Sequence, residues 1–145
     1  MIAKEFLMQV RSRYEEVQEQ KEYVDRIRDS LGVAGINYDS ESCQGSSDPH
    51  SREHLLLKMI EEDKRLKKMN KDYAEFRVSV IDMIHNVSDN RDRKILYRVY
   101  IDFKSLYEVS SEMSYSYEYT RKIHLEALKN FTHTMSQHYP MMSVE

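Results

Sequence analysis

The chain has 145 residues, of which 32% are charged, and it contains only 3 glycines and 2 prolines. That length fits one domain, or one small domain with a coiled-coil appendage, and the composition favours a mostly helical fold over a β-sandwich. The formal net charge of −3 gives no strong global indication of nucleic-acid binding, and the single cysteine, Cys43, excludes an internal disulfide and indicates a reducing cytoplasm.

The first predicted element is a helix over residues 2–31, a stretch that contains neither glycine nor proline. Its apolar residues recur every seven positions, in the narrow stripe of a coiled-coil helix, at Val10, Val17, Val24 and Leu31. We expect Gly32 to end this helix as its C′ residue. Because charges recur every few residues, we expect neither a signal peptide nor a membrane span here.

Residues 32–48 break the composition: they hold all three glycines and several serines, and they contain no lysine or arginine. This pattern predicts a mobile acidic loop. The segment is longer than a tight helical hairpin needs, so it is either flexible or functional. Its apolar residues could instead dock on the helices. Cys43 is interpreted as a spare loop thiol, because no activating group can be placed beside it.

The second long helix is predicted over residues 49–87. Asp48 and Pro49 are a strong start signal, with aspartate as the N-cap and proline at the first helical position. Apolar residues then alternate three and four apart, as in a heptad, at Leu66, Met69, Tyr73, Phe76, Val80, Met83 and Val87. Because neither stripe can stay in water, we expect the two long helices to bury each other as an antiparallel hairpin, or to pair in a dimer.

Two polar clusters on this second helix could have either a functional or a purely structural role. His50 and His54 have a spacing compatible with metal binding, but no third ligand is evident, so no metal site is predicted. A basic cluster is interpreted as a solvated face paired with nearby acidic residues, with nucleic-acid contact as the alternative. Its members are Lys64, Arg65, Lys67, Lys68 and Lys71.

A new helix is expected after the break at residues 88–90. It carries Ile95, Leu96, Val99 and Tyr100, and its expected role is to cover the two helices that follow, since two short helices cannot make a core alone.

The stretch from Ser105 to Phe131 predicts a short helix, a tight turn and a longer helix. Ser105 stands three residues before Glu108, the spacing of a capping box, and Ser116 is a second candidate N-cap. One apolar face of the short helix carries Leu106, Val109 and Met113, and one face of the longer helix carries Thr120, Ile123, Ala127, Leu128 and Phe131. This arrangement is a helix-turn-helix, whose second helix enters the DNA major groove. The longer helix is expected to run to His138, with Pro140 stopping it and 140–145 as a tail.

The same stretch resembles, without a gap, the region of sigma-70-type factors that reads the −35 promoter element. The matching residues are Leu106, Glu108, Val109, Met113, Tyr115, Ser116, Glu118, Arg121, Ile123, Ala127 and Leu128. The run from Arg93 to Ile101 resembles the helix that precedes this motif in those factors, so the resemblance covers roughly residues 88–131. With its long helical first half, the chain is similar to short proteins of phages and prophages of Gram-positive bacteria, which include late-transcription activators.

The resemblance implies a DNA-binding site at the start of the longer helix. Positions that contact base edges and phosphates in sigma factors hold Tyr117, Glu118, Arg121 and Lys122 here, with Ser116 at the same helix end. Arginine can bond guanine in a bidentate manner and glutamate can accept from cytosine. Tyr117 and Lys122 differ from the usual residue types. The alternative is that Glu118 and Lys122 form an i, i+4 surface pair.

The predicted fold is therefore all-α: a helical hairpin or coiled coil over residues 1–87, then a three-helix sigma-region-4-like module over 88–139. The chain shows no phosphate-binding glycine loop, HExxH, Cys/His quartet or catalytic triad pattern, so no enzyme is predicted. We expect a cytoplasmic phage-type transcription regulator without cofactor, metal, membrane or small-molecule substrate. Its expected partners are double-stranded DNA and, through the resemblance, RNA polymerase, with homodimerisation left open. The alternative is a protein–protein interaction module that keeps this scaffold without reading DNA.

Overall fold

The computed structural model describes residues 2–36 and 49–139, and these residues are helical without a strand, which confirms the all-α class. The five α-helices are α1 (Ala3–Ile36), α2 (Pro49–His85), α3 (Asn90–Leu96), α4 (Leu106–Met113) and α5 (Tyr117–His138). A π-helical turn, Tyr97–Ile101, follows α3 directly. No helix among the described residues combines the length and the apolar character needed to cross a membrane. The predicted acidic loop beyond Ile36, with Cys43, and the predicted tail 140–145 lie outside the described residues.

The predicted end of the first helix is wrong. Gly32 lies inside α1, which continues to Ile36, and no glycine in the described residues has a positive φ. Each glycine disfavours a helix by only about 1 kcal/mol, so Gly32 and Gly35, which both lie in α1, need not end it. The other predicted helix limits are close: α2 starts at Pro49 and ends two residues before Val87, and α5 ends at His138.

The described residues pack as two compact units, one formed by residues 15–36 and 49–72 and the other by residues 2–14 and 73–139. The division passes through α1 and α2. The expected boundary near Ser88, between the helical hairpin and the helix-turn-helix module, stays a prediction. The two units describe packing and do not test where a functional domain begins.

In the unit of residues 15–72, apolar burial is sparse and polar contacts are prominent. Val17, Val24 and Ile27 are buried, whereas Leu66 and Met69 are only half-buried. The Gln20 side-chain amide donates to the Glu62 carboxylate at 2.7 Å and to the Glu62 backbone carbonyl at 3.1 Å. The five lysines and arginines of the basic cluster are all exposed, and within the described residues only Lys67 has an ion pair, with Asp63 at 3.3 Å.

The second unit holds the main hydrophobic core. Its fully buried side chains come from the start of α1, the end of α2, the π-helical turn region and α5, and include Leu7, Val10, Val80, Ile84, Leu96, Ala127, Phe131 and Met135. The Phe6 ring lies 6.3 Å from the Phe131 ring and 6.0 Å from the Phe76 ring. The core therefore anchors α5 between the first turns of α1 and the last turns of α2.

Candidate nucleic-acid interface

The geometry of α4 and α5 follows from two serine caps and one left-handed residue. The Ser105 hydroxyl accepts from the Glu108 N–H at 3.1 Å, and the Ser116 hydroxyl accepts from the Tyr119 N–H at 3.2 Å, so both predicted N-caps are confirmed. Between the helices Ser114 has φ 58°. The Tyr115 N–H bonds the Ser110 carbonyl at 2.9 Å and the Ser114 N–H bonds the Ser111 carbonyl at 3.4 Å, the pairing of a Schellman motif.

One side of α5 is buried, as its sequence pattern predicts. Thr120, Ile123, Ala127 and Phe131 are almost completely inaccessible, and Leu128 is half-buried. The Thr120 hydroxyl donates to the Ser116 carbonyl at 2.9 Å, so its polar atom is satisfied although the side chain is buried. Ile123 joins a small cluster with Ile95 of α3 and Val109 of α4, which fixes the three helices on one another.

The other side of α5 presents the residues that the resemblance assigns to DNA contact. Tyr117, Glu118, Arg121 and Lys122 are all exposed, and their spacing places them on one helix face. Within residues 2–36 and 49–139 no hydrogen bond or ion pair holds any of the four side chains, so Glu118 and Lys122 do not form the surface pair considered above. Ser116, the fifth predicted residue, uses its hydroxyl as the cap of α5.

Sequence reasoning missed one neighbour of this face, Arg91 at the start of α3. Its guanidinium donates to the Tyr119 hydroxyl at 3.0 Å and lies 3.8 Å from the Glu126 carboxylate. The Tyr115 ring meets the Tyr119 ring edge-on, with centroids 5.0 Å apart. Arg91 and Tyr119 are 28 residues apart, and no periodic pattern links them, so no sequence signal could have paired them.

Two polar contacts, each with a buried partner, hold α5 on the other helices of the unit. Asp92 of α3 is almost wholly buried, and one of its carboxylate oxygens accepts from the Asn130 side-chain amide at 2.5 Å. The Tyr100 hydroxyl lies 2.8 Å from His124 Nε2. Burial raises the pKa of Tyr100 to about 12. Burial, helped by the positive charge of Lys4, lowers the pKa of His124. Both groups are therefore neutral at pH 7.

A concave basic surface lies elsewhere on the same unit, in a cavity of about 640 Å³. Its cations are Arg93, Lys94, Arg98 and Lys104. The Glu112 carboxylate lies 2.6 Å from Lys104 Nζ and 3.2 Å from Arg98 Nε, and the hydrogen bond from Lys104 is the main cause of its lowered pKa. None of the residues predicted to contact DNA lines this cavity. Because two of its cations are paired, the unpaired α5 face is the stronger candidate interface.

The residues described offer no metal centre, since no three histidine, cysteine, aspartate or glutamate side chains among them gather closely enough. His50 and His54 are exposed on the first turns of α2. The arrangement on α5 is instead suited to recognition: a helix start with an unpaired arginine, lysine, glutamate and tyrosine can meet base edges and phosphates.

Comparisons with protein-family models, with curated proteins and with solved structures found no match to this chain. The sigma-like resemblance therefore rests on the residues quoted above.

Proposed function

We propose that this protein is a transcription regulator of the phage and prophage type, which binds promoter DNA through a sigma-70 region 4-like helix-turn-helix formed by α4 and α5. In this proposal α3 covers the motif, and the long helices α1 and α2 form an antiparallel hairpin that serves assembly. The observation that carries the proposal is the exposed face of α5. Its first two turns present four side chains without partners in the described chain, while the opposite side is buried.

Each residue of that face has a role that its chemistry supports. Arg121 contacts a guanine in the major groove, and Glu118 accepts from a cytosine amino group. Lys122 contacts phosphate, which contributes affinity without sequence preference. Tyr117 stands at the helix start beside Ser116, where backbone N–H groups also favour a phosphate.

The charge of the module sets its expected affinity. Residues 88–145 contain eight lysines and arginines and eight aspartates and glutamates. Because phosphate neutralisation dominates non-specific affinity, such a module should bind DNA weakly alone. We therefore propose that RNA polymerase, or a second copy of the chain, holds it at the promoter and so raises its effective concentration. We propose further that the protein acts in the cytoplasm and has no enzymatic activity.

Fluorescence anisotropy with the two charge variants tests the proposal. Wild type should bind duplex DNA in a salt-sensitive manner. Arg121→Ala should cost about 1–3 kcal/mol on the preferred site, whereas Lys122→Ala should weaken all sequences alike and reduce the salt slope by about one. Lys21→Ala is the matched control, because Lys21 is an exposed lysine that belongs to α1 and not to α5. If all three substitutions reduce DNA affinity equally, or if none of them changes it, the assignment of these contacts is refuted.

The neutral charge of the module favours one alternative: α4 and α5 are a retained scaffold that binds a protein and not DNA. In that case wild type shows no salt-sensitive DNA binding, even with RNA polymerase present, and a protein partner is recovered in a pull-down. The Arg121→Ala variant would then lose that partner without any change in base preference.

A further inference from the structure

A second cavity, of about 230 Å³, lies behind α5 within the unit that contains the main core. We call it the Lys4 cavity. Its walls come from the start of α1, the π-helical turn, the connection before α4, and His124 of α5. The residues that carry the argument are Lys4, Leu7, Val99, Tyr100, Leu106 and His124. At about 30 Å³ per water molecule it has room for roughly seven waters, which is the size of a small organic ligand.

The lining of the Lys4 cavity is apolar at its walls and positive in charge. Leu7 is fully buried, and Val99 and Leu106 are half-buried. Three cations, Lys4, Arg11 and Lys104, also line it, and none of its lining residues is an aspartate or glutamate. A cavity with apolar walls, several cations and no lining carboxylate is complementary to a molecule with an apolar body and one negative group.

Two polar groups in the cavity have capacity left for a ligand. Lys4 is exposed and forms no ion pair with any residue that the structure describes, whereas Lys104 is already paired with Glu112 at 2.6 Å. Lys4 and His124 line the same cavity, and the positive charge of Lys4 contributes to the lowered pKa of His124. His124 Nε2 is engaged by the Tyr100 hydroxyl, and nothing in the described part of the chain bonds its Nδ1. With Tyr100 as donor to Nε2, Nδ1 carries a proton that can be donated to an anion.

The backbone that forms one wall is unusual in two ways. Phe103 has φ 59°, the left-handed region that a bulky side chain rarely adopts. Just before it, the Asp102 N–H bonds the Tyr97 carbonyl at 3.1 Å, which is the spacing of a π-helix. Both features concentrate at functional sites, where they shape a ligand cavity against the intrinsic backbone preference.

We propose that the Lys4 cavity binds a small amphipathic carboxylate, with the carboxylate between the Lys4 ammonium and the His124 imidazole and the hydrocarbon tail against Val99 and Leu106. The cavity is a different surface from the proposed DNA-contacting face, so this proposal does not depend on DNA binding.

Titration of the full chain with hexanoate, followed by NMR, tests this site. Saturable shifts of the His124 and Lys4 resonances are expected, together with ligand contacts to the methyl groups of Val99 and Leu106. Hexanol has the same tail without the charge, and acetate has the charge without the tail. Each should bind at least about tenfold more weakly, since a hydrogen bond to a charged group and burial of the tail both contribute. Hexanol binding as tightly as hexanoate, or no saturable binding of hexanoate, would overturn the proposal.

A pair of variants separates the site from general charge effects. Lys4→Met should weaken hexanoate binding about tenfold or more. Lys129→Met removes the same charge from an exposed position that does not line the cavity, and it should leave the affinity unchanged. Equal affinities for wild type and Lys4→Met, or equal losses in both variants, would contradict the site. Circular dichroism checks that the variants fold. If Lys4→Met does not fold, the NMR contacts between hexanoate and the wild-type cavity test the site, because the absence of those contacts alone refutes the proposed binding position.

Discussion

The turn between α4 and α5 depends on the conformation of one residue, Ser114. Its φ of 58° is the left-handed conformation that costs most residues about 1–2 kcal/mol, and it occupies the C′ position where glycine is favoured. The unfavourable conformation of Ser114 does not separate α4 from α5, because two interactions stabilise the turn. These are the Schellman hydrogen bonds and the packing of Tyr115 on the Ile95–Val109–Ile123 cluster.

Ser114→Gly should therefore raise the free energy of unfolding by about 0.5–1 kcal/mol, measured by chemical denaturation, because glycine adopts this φ without the steric penalty. The matched control is Ser111→Gly, which puts the same residue into the helical part of α4 and should lower stability by a similar amount. A loss of stability in Ser114→Gly would show that the left-handed corner is not formed.

The buried pair of Tyr100 and His124 makes stability depend on pH. Burial and Lys4 depress the pKa of His124 in the folded state below its ordinary value of 6.5, so the unfolded chain binds the proton more readily. The stabilisation is thus complete above about pH 6.5 and is lost as the pH falls from there toward the folded pKa. The slope of unfolding free energy against pH in this window reaches at most about 1.4 kcal/mol per pH unit for one proton.

Denaturation curves between pH 5 and pH 8 check this expectation. His124→Asn should flatten the pH dependence below about pH 6.5, while the exposed His133→Asn removes a histidine without touching the buried pair and should retain the wild-type slope. Identical slopes in wild type and His124→Asn would mean that His124 is not held neutral by its surroundings.

Gly32 occupies an interior position of α1, where glycine disfavours the helix. An added Cβ at Gly32 would meet no atom within 4 Å, and its φ is not positive. Gly32→Ala should stabilise the protein by about 0.5–1 kcal/mol, because alanine loses less backbone entropy in a helix. Thermal unfolding followed by circular dichroism measures the effect. Destabilisation by alanine would instead support the C′ role expected from sequence.

The elements differ in how far sequence could predict them, and the reason is the range of the interactions involved. The caps at Ser105 and Ser116 are local: the residue that caps lies within three positions of the N–H that it satisfies, so a short pattern identifies them. To predict that α1 continues past Gly32, the small free-energy penalty of glycine in a helix must be compared with the helix propensity of its neighbours. The sequence does not give that difference precisely. The π-helical turn Tyr97–Ile101 carries no sequence mark of its own, and only the packing around it reveals it.

Across the fold, periodicity indicated which face of a helix is buried but not which distant residues cover it. The stripe of α5 was predicted correctly, yet its partner Phe6 stands at the opposite end of the chain. The same limit applies to the candidate sites. The exposed face of α5 could be named from residue types and a resemblance, whereas Arg91 beside it and the Lys4 cavity behind it require contacts between distant segments.

Selection of bound duplexes from a random DNA pool shows whether the α5 face reads DNA sequence. Selections with wild type and with Arg121→Ala should run in parallel, each with and without RNA polymerase. We predict an enriched sequence for wild type and relaxed preference at one or two positions for Arg121→Ala, since one bidentate arginine specifies one base pair. No enrichment by wild type in the presence of polymerase, or the same enriched sequence with the variant, would contradict this prediction.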